Sequence, residues 1–274
     1  MSLFTVYEEK CDLCLLCLAA CPAGLVAVTG NGSVPSPVAG AEEVCFRCGH
    51  CVAVCPTGAF SHQYAPAEQC LPIRPDLRIT GEQAGQLMRS RRSVRNFTDK
   101  PVARDTTTEL LDIARFAPSG CNSQPVHWLV IHNKTRVLQV AELVVGGLRQ
   151  MIAEAPDAPL ASVLGRLVKA WDEGINVITR GAPHLILAHA PKANPLAPSA
   201  CIIAQTYLEL AASAHGLGAC WMGLVDMTAN TWAPLREFLA LPAEHVVLAS
   251  MAIGHPEFEY VCIPPRERVR VVWR

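Results

Sequence analysis

Thirteen cysteines in 274 residues are the first feature with chemistry in it. Eight stand in two runs, Cys11-Asp12-Leu13-Cys14-Leu15-Leu16-Cys17-Leu18-Ala19-Ala20-Cys21-Pro22 and Cys45-Phe46-Arg47-Cys48-Gly49-His50-Cys51-Val52-Ala53-Val54-Cys55-Pro56. Both read C-x2-C-x2-C-x3-C-P. Three thiolates two residues apart can wrap a loop around three iron corners of a cubane, and the fourth, turned away by the following proline, reaches the other cluster. The spacing therefore predicts two [4Fe–4S] sites with crossed ligands: Cys11, Cys14, Cys17 and Cys55 on one, Cys45, Cys48, Cys51 and Cys21 on the other. Zinc is the competing reading, but a tetrahedral ion asks for C-x2-C pairs and has no use for the third cysteine or the C-P step. Disulfides are disfavoured because no secretory leader opens the chain and cytoplasmic thiols stay reduced. His50, inside the second run, reads as a donor near a cluster or a surface residue, not as an iron ligand.

A second concentration of chemistry is Arg89-Ser90-Arg91-Arg92-Ser93-Val94-Arg95-Asn96-Phe97, with four arginines and two serines in nine residues. Forked guanidinium donors beside short hydroxyls suit a phosphate; a solvated basic face or an RNA contact has the same composition. Arg266-Glu267-Arg268-Val269-Arg270 forms another basic cluster after Pro264-Pro265. No G-x-G-x-x-G follows a candidate strand, and Gly216-Leu217-Gly218 is too short, so a dedicated dinucleotide domain is not expected. Cys201, Cys220 and Cys262 lie in apolar surroundings and read as core. Cys121 reads as packing, and Cys70 receives no role. His127, His184 and His189 flank apolar stretches without metal spacing. No Ser/His/Asp set or carboxylate pair stands out, which suits chemistry carried by a cofactor.

The elements that must hold these groups fall into two blocks. Residues 1–64 contain both cysteine runs; 65–80 are punctuated by Pro66, Pro72 and Pro75 and read as a connector; 81–274 alternate helical and strand patterns. Thr106–Phe116 has helical spacing, and so does the apolar Ser199–His215, closed by Gly216. Val126–His132, His184–Ala190, Cys220–Val225 and Val246–Gly254 read as strands. Helices packed around one central sheet follow from that alternation. The 51% hydrophobic and 17% charged composition provides a sizeable core. With no apolar run of 18 residues, a membrane span is not expected. The start lacks a basic region followed by an apolar stretch, so the expected compartment is the cytoplasm. Net charge is −1, yet residues 1–66 carry five acids (Glu8, Glu9, Asp12, Glu42, Glu43) against Lys10 and Arg47. That acidic front suits docking to a basic electron-donor protein, not to nucleic acid or an anionic membrane.

Residues 4–62 resemble the two-[4Fe–4S] bacterial ferredoxins, with an elongated turn around Asn31-Gly32-Ser33-Val34-Pro35-Ser36-Pro37. Four later segments, in order, resemble the nitroreductase family of FMN enzymes: Arg91-Arg92-Ser93-Val94-Arg95; Ala117-Pro118-Ser119-Gly120-Cys121-Asn122-Ser123-Gln124-Pro125; Gly218-Ala219-Cys220-Trp221-Met222-Gly223; and Ile253-Gly254-His255-Pro256 with the terminal arginines. The resemblance implies an α+β chain: a ferredoxin-like N-terminal domain and an α/β/α sandwich with a central mixed sheet. It implies that Arg91, Arg92 and Ser93 hold the FMN phosphate and ribityl chain, with Arg95 near the flavin N1–C2 carbonyl. Pro118, Ser119, Gly120 and Asn122 would approach the ring from the second subunit of a homodimer. Met222 and Gly223 would line it near N5, and Arg266 and Arg268 would return to the phosphate. The aromatic that often follows Q-P is Val126 here. Val140–Arg180 matches no motif.

The expected activity is therefore FMN-dependent reduction of a small electrophilic acceptor (a nitroaromatic, quinone or activated alkene) with electrons arriving through the clusters from a ferredoxin or similar donor. Two alternatives use the same residues. In one, NAD(P)H binds transiently over the flavin and the clusters are accessory. In the other, the chain relays or senses electrons and turns over no small substrate. A zinc protein with a basic nucleic-acid-binding half is the rival outside redox chemistry.

Overall fold

The computed structural model describes residues 2–274. The chain forms two compact units, Met1–Arg78 with Cys121–Ser123, and Ile79–Gly120 with Gln124–Arg274.

The first unit is built on short elements: β1 (Phe4–Val6), α1 (Leu16–Ala20), β2 (Val26–Ala27), β3 (Ser36–Pro37), α2 (Ala41–Val44), α3 (His50–Ala53) and β4 (Phe60–His62). Strand β1 pairs antiparallel with β4, Phe4 opposite His62, and β2 with β3. The small core is Leu3, Phe4, Cys17, Leu25, Val26, Ala41, Val52 and Phe60. The Phe4 and Phe60 rings lie 4.4 Å apart. So few apolar side chains suit a domain that relies on metal for part of its stability. The proline-punctuated stretch holds only single 3-10 turns, Ala67–Gln69 and Pro75–Leu77.

The second unit opens with α4 (Gly81–Ser90), started by a capping box in which Thr80 and Gln83 satisfy one another's backbone N–H. There follow α5 (Arg104–Ala114), β5 (His127–Ile131), α6 (Lys134–Glu154), α7 (Ala161–Asp172), β6 (His184–Pro191), α8 (Ala197–Ala214), β7 (Gly218–Trp221), α9 (Gly223–Ala229), α10 (Ala233–Leu239) and β8 (His245–Gly254). The strands lie in the order β5-β6-β8-β7, every adjacent pair antiparallel. Mixed character enters only through a parallel bridge from Ser93 to Ala219.

Alternation along β6 explains the layers. Leu185 and Leu187 face a core with Val140, Val144 and Leu148 of α6, Leu164 of α7, Val225 of α9 and Leu235 of α10. Ile186 faces the opposite core, with Leu110 and Ala114 of α5 and Leu208 and Ala212 of α8. Both faces of the sheet are thus covered by helices, and the α+β class expected from sequence holds. One element is corrected: Cys220–Val225 is not a single strand. β7 stops at Trp221, and Gly223 begins a helix, because a short apolar run fits strand or buried helix equally until its ends are known. None of the helices among the described residues is long and apolar enough to cross a membrane.

Candidate functional site

In the first unit both cysteine runs trace the same path. Leu13 and Leu15 flank Cys14 with φ of 56° and 59°, and Arg47 and Gly49 flank Cys48 with φ of 53° and 72°. Left-handed geometry costs a residue with a Cβ roughly 1–2 kcal/mol. Its recurrence at matching positions reflects a requirement of the loop: alternating handedness turns successive backbone N–H groups inward, as anionic clusters demand.

The fourth cysteine of the first run lies with the second run. Cys21, Cys45, Cys48 and Cys51 line one cavity, whose walls are Leu3, Phe4, Leu25 and Val26. Burial pushes the Cys51 thiol up to about 11, and repulsion from Cys21 and Cys48 adds to the shift. Burial raises the Cys17 thiol, and charge on Cys14 and Cys55 acts in the same direction. Burial acts upward on Cys55 too, but hydrogen bonds from the Thr57 hydroxyl and from the Phe60, Thr57 and Ala59 backbone prevail and lower it. Backbone N–H groups also donate to sulfur from Leu25 to Cys21 at 3.3 Å and from Arg47 to Cys45 at 3.4 Å. Among the described residues no three His, Cys, Asp or Glu side chains converge on a single-ion site. Four thiols on one cavity, with backbone N–H groups donating to Cys21 and Cys45, fit the donor chemistry of a cubane.

Sequence read His50 as a donor near a cluster or a surface residue and assigned no role to His62. His50 is exposed. The buried histidine is His62, 3% exposed, with Nε2 at 3.5 Å from Cys45 Sγ. Asn122 falls with the first unit, its side-chain amide donating to the Phe46 and Arg47 carbonyls at 3.3 and 3.0 Å.

In the second unit the arginine loop is pinned beside the sheet. Val94 N–H donates to the Ala219 carbonyl at 2.9 Å, Thr98 N–H to that of His255 at 2.9 Å and Glu257 N–H to that of Asn96 at 3.0 Å. These bonds bring Arg91–Arg95 alongside β7 and the end of β8, so three segments distant in sequence meet. Gly218 permits the approach: a Cβ there would lie 2.7 Å from Val94. Arg91 Nη1 donates to Glu209 Oε1 at 2.7 Å, while Trp221 Nε1 donates to Glu209 Oε2 at 3.1 Å. Glu209 is a buried carboxylate on α8 whose part in the site no motif announced. Arg92 is half-buried and Arg95 exposed. Of the loop's arginines, Arg91 is the one held in an ion pair among the described residues.

Residues 88–255 match the nitroreductase family, and residues 10–60 match a 4Fe-4S dicluster domain. The chain belongs to the nitroreductase family. It is an FMN-dependent oxidoreductase that also carries an iron–sulfur domain. Among curated nitroreductase-family relatives, it is 30% identical to nitroreductase NfnB of Mycolicibacterium smegmatis over 59% of this chain and 79% of that one. It is 30% identical to 5,6-dimethylbenzimidazole synthase of Rhodospirillum rubrum, over 67% and 86%. The NADH dehydrogenase of Thermus thermophilus is 29% identical over 67% and 92%. Among solved structures, an FMN-bound nitroreductase of Desulfitobacterium hafniense shares the fold with a TM-score of 0.56 at 20% identity, over 71% of this chain and all of that one.

FMN fits this nitroreductase unit by its donor set: Arg92 and Arg95 hold positive charge beside the Ser93 hydroxyl, on a loop anchored by β7. A Cβ on Gly223 would meet nothing within 4 Å, leaving open space at the residue after Met222. Asp226, on α9, has Oδ1 buried without a hydrogen-bond partner. Burial raises its carboxyl to about 6, with a Ser250 hydrogen bond acting the other way.

The remaining expected contacts are scattered. Pro118 and Ser119 line a cavity with Val126, Trp128, Ala200 and Ala204. Ser119 Oγ accepts from Gln124 N–H at 3.0 Å. Gly120 packs close to Leu196, and Cys121, Asn122 and Gln124 are all left-handed, at φ of 50°, 52° and 43°. Three such residues in one loop mark stored strain of the kind found at ligand clamps. Arg266 and Arg268 lie exposed in a terminal stretch without helix or strand.

Proposed function

We propose that this enzyme takes electrons singly through two [4Fe–4S] clusters and uses them, through FMN, to reduce a small electrophilic acceptor such as a nitroaromatic, quinone or activated alkene. The observation that carries this reading is that Cys21 of the first run lines one cavity with Cys45, Cys48 and Cys51 of the second, which supports crossed ligation, with Cys55 joining Cys11, Cys14 and Cys17. Crossing welds both loops into one unit and sets two clusters side by side, an arrangement for passing electrons and not for holding one structural metal. When bound, the clusters supply one-electron transfer and FMN supplies exchange between one and two electrons.

The chain's residues do the rest. Arg91, Arg92 and Ser93 bind the FMN phosphate and ribityl chain, with Arg91 steadied by Glu209. Arg95 places a cation near the flavin N1–C2 edge, where reduction builds negative charge. Met222 and Gly223 face the ring near N5. Pro118, Ser119, Gly120 and Asn122 are contributed across a homodimer, and Arg266 and Arg268 close on the phosphate. The domain limits that go with this reading are 1–64 for the clusters, 65–80 for the connector and 81–274 for the flavin. A ferredoxin-type protein is the donor, drawn by the acidic front.

NAD(P)H is the competing donor, favoured by one observation: NfnB, 23% identical with a TM-score of 0.51, has been solved in complex with NADPH. The test is an anaerobic absorbance series on the reconstituted protein, with NADH, NADPH and reduced ferredoxin in separate cuvettes. Bleaching of clusters and then flavin by reduced ferredoxin alone supports the proposal. Rapid direct reduction of the flavin by NADH or NADPH transfers the donor role to nicotinamide.

A further inference from the structure

We infer that His62 is a positioning residue for one cluster: it donates a hydrogen bond from Nε2–H to the Cys45 thiolate and thereby raises the reduction potential of the cluster held by Cys45, Cys48, Cys51 and Cys21. The inference rests on the ligand assignment above.

The tautomer decides the chemistry. Tyr64 backbone N–H donates to His62 Nδ1 at 3.1 Å, so Nδ1 is an acceptor and carries no proton. A neutral imidazole has one N–H, and it must then be on Nε2. Nε2 is the atom that faces Cys45 Sγ at 3.5 Å. The bond therefore runs from nitrogen to sulfur.

The backbone holds the ring there. His62 ends β4, paired with Phe4 of β1, and it also bridges to Ala65, with Ala65 N–H donating to the His62 carbonyl at 3.0 Å. That tight reversal is what turns the Tyr64 N–H back onto Nδ1. His62 is 3% exposed and lies on the wall of the cavity lined by the same four cysteines. It is thus a desolvated donor aimed at a ligand sulfur, where a hydrogen bond to charge is strongest.

Reduction adds one electron to the cluster and no proton, so the ligand sulfurs become more negative and the Nε2–H bond strengthens. Hydrogen bonds to the sulfurs are among the protein's levers on cluster potential. The bond reaches only one of the two thiol sets. On the other, Cys55 Sγ has a side-chain oxygen, Thr57 Oγ1, at 3.7 Å. His62 biases the electron toward the cluster of the Cys45 set.

The test compares His62→Leu with His62→Gln, whose side-chain amide can place an N–H near the Nε2 position. Iron and sulfide content is measured first, then each cluster is titrated anaerobically by EPR. Removing a hydrogen bond to a charged group is expected to change the reduction equilibrium about tenfold, about 59 mV for one electron. The expected result is a negative shift of one cluster in His62→Leu, recovery in His62→Gln, and an unmoved second cluster. Equal shifts in both variants, or none in His62→Leu, overturn the inference. Should His62→Leu fail to take up iron, 15N-histidine labelling of the unaltered protein decides. Hyperfine coupling of an imidazole nitrogen to the reduced cluster is expected, and its absence refutes the bond. Failure to bind two clusters at all is seen in the iron content and counts against the ligand assignment instead.

Discussion

Replacing Arg91 by Met leaves Glu209 as a carboxylate with 5% side-chain exposure and only the Trp221 indole N–H as partner. Arg91 itself is 27% exposed, so the pair is far less screened than a surface salt bridge. Breaking a buried pair from one side strands a charge and costs roughly 3–5 kcal/mol, whereas exposed pairs are worth about 0–1. Arg91→Met is therefore expected to lose about 3 kcal/mol in urea unfolding of the FMN-free protein. Removing both charges in Arg91→Met/Glu209→Leu should recover part of that loss, since no charge is then left behind. Glu209→Gln keeps one acceptor oxygen but turns an NH2 toward either Arg91 or Trp221, both of which are donors, and should cost about 1–3 kcal/mol. FMN affinity, followed by flavin fluorescence, should fall in Glu209→Gln although Glu209 is not placed on the phosphate, because Arg91 loses its anchor. A loss below about 1 kcal/mol in Arg91→Met, or a double variant worse than the sum of the singles, refutes the reasoning.

Asp226 supplies a pH test. Its folded pKa is raised from 3.8 to about 6, so the native state binds the extra proton and stability falls as pH rises through that window. The full penalty is at most about 3 kcal/mol, and Asp226→Asn should out-stabilise the unaltered protein by a margin that grows by about 1–2 kcal/mol from pH 5 to pH 8. A constant margin in urea midpoints contradicts this. Gly218→Ala forces a Cβ to 2.7 Å from Val94. It should cost about 1–3 kcal/mol of thermal stability and release FMN, because the arginine loop must move. Gly223→Ala meets open space in the protein. It should leave stability within about 0.5 kcal/mol and weaken FMN binding alone; unchanged FMN affinity would remove Gly223 from the flavin face.

What could be read from sequence was local or periodic. The cysteine runs needed only spacing to mark a two-cluster domain, and the proline after each fourth cysteine pointed to the crossing proposed above. Strands β6 and β8 and helix α8 are long apolar segments with clear ends, and they came out within three residues of their limits. Contacts set by tertiary approach could not be read. His62 lies 17 residues beyond Cys45, a separation that no motif spacing marks, at the end of a strand paired with β1. Glu209 meets Arg91 across 118 residues. Helix α6 hid behind Gly146-Gly147, a poor helix-forming pair. Trp232 crowds only the second of them: its side chain would lie 3.1 Å from a Cβ on Gly147, against an ordinary 3.5 Å at Gly146. The left-handed Leu13 and Leu15 run against their own propensity, and only the demand of the cluster turn accounts for them.

The central claim is that electrons reach the flavin through the cysteine-bound clusters. The most direct measurement is anaerobic stopped-flow reduction of the flavin by a reduced ferredoxin, in the unaltered protein and in Cys55→Ser, with iron and FMN content determined for both. The account predicts that cluster absorbance bleaches before flavin absorbance in the unaltered protein. It predicts that Cys55→Ser, at full FMN occupancy, loses most of the flavin reduction rate. An undiminished rate in a variant shown to have lost iron would contradict it.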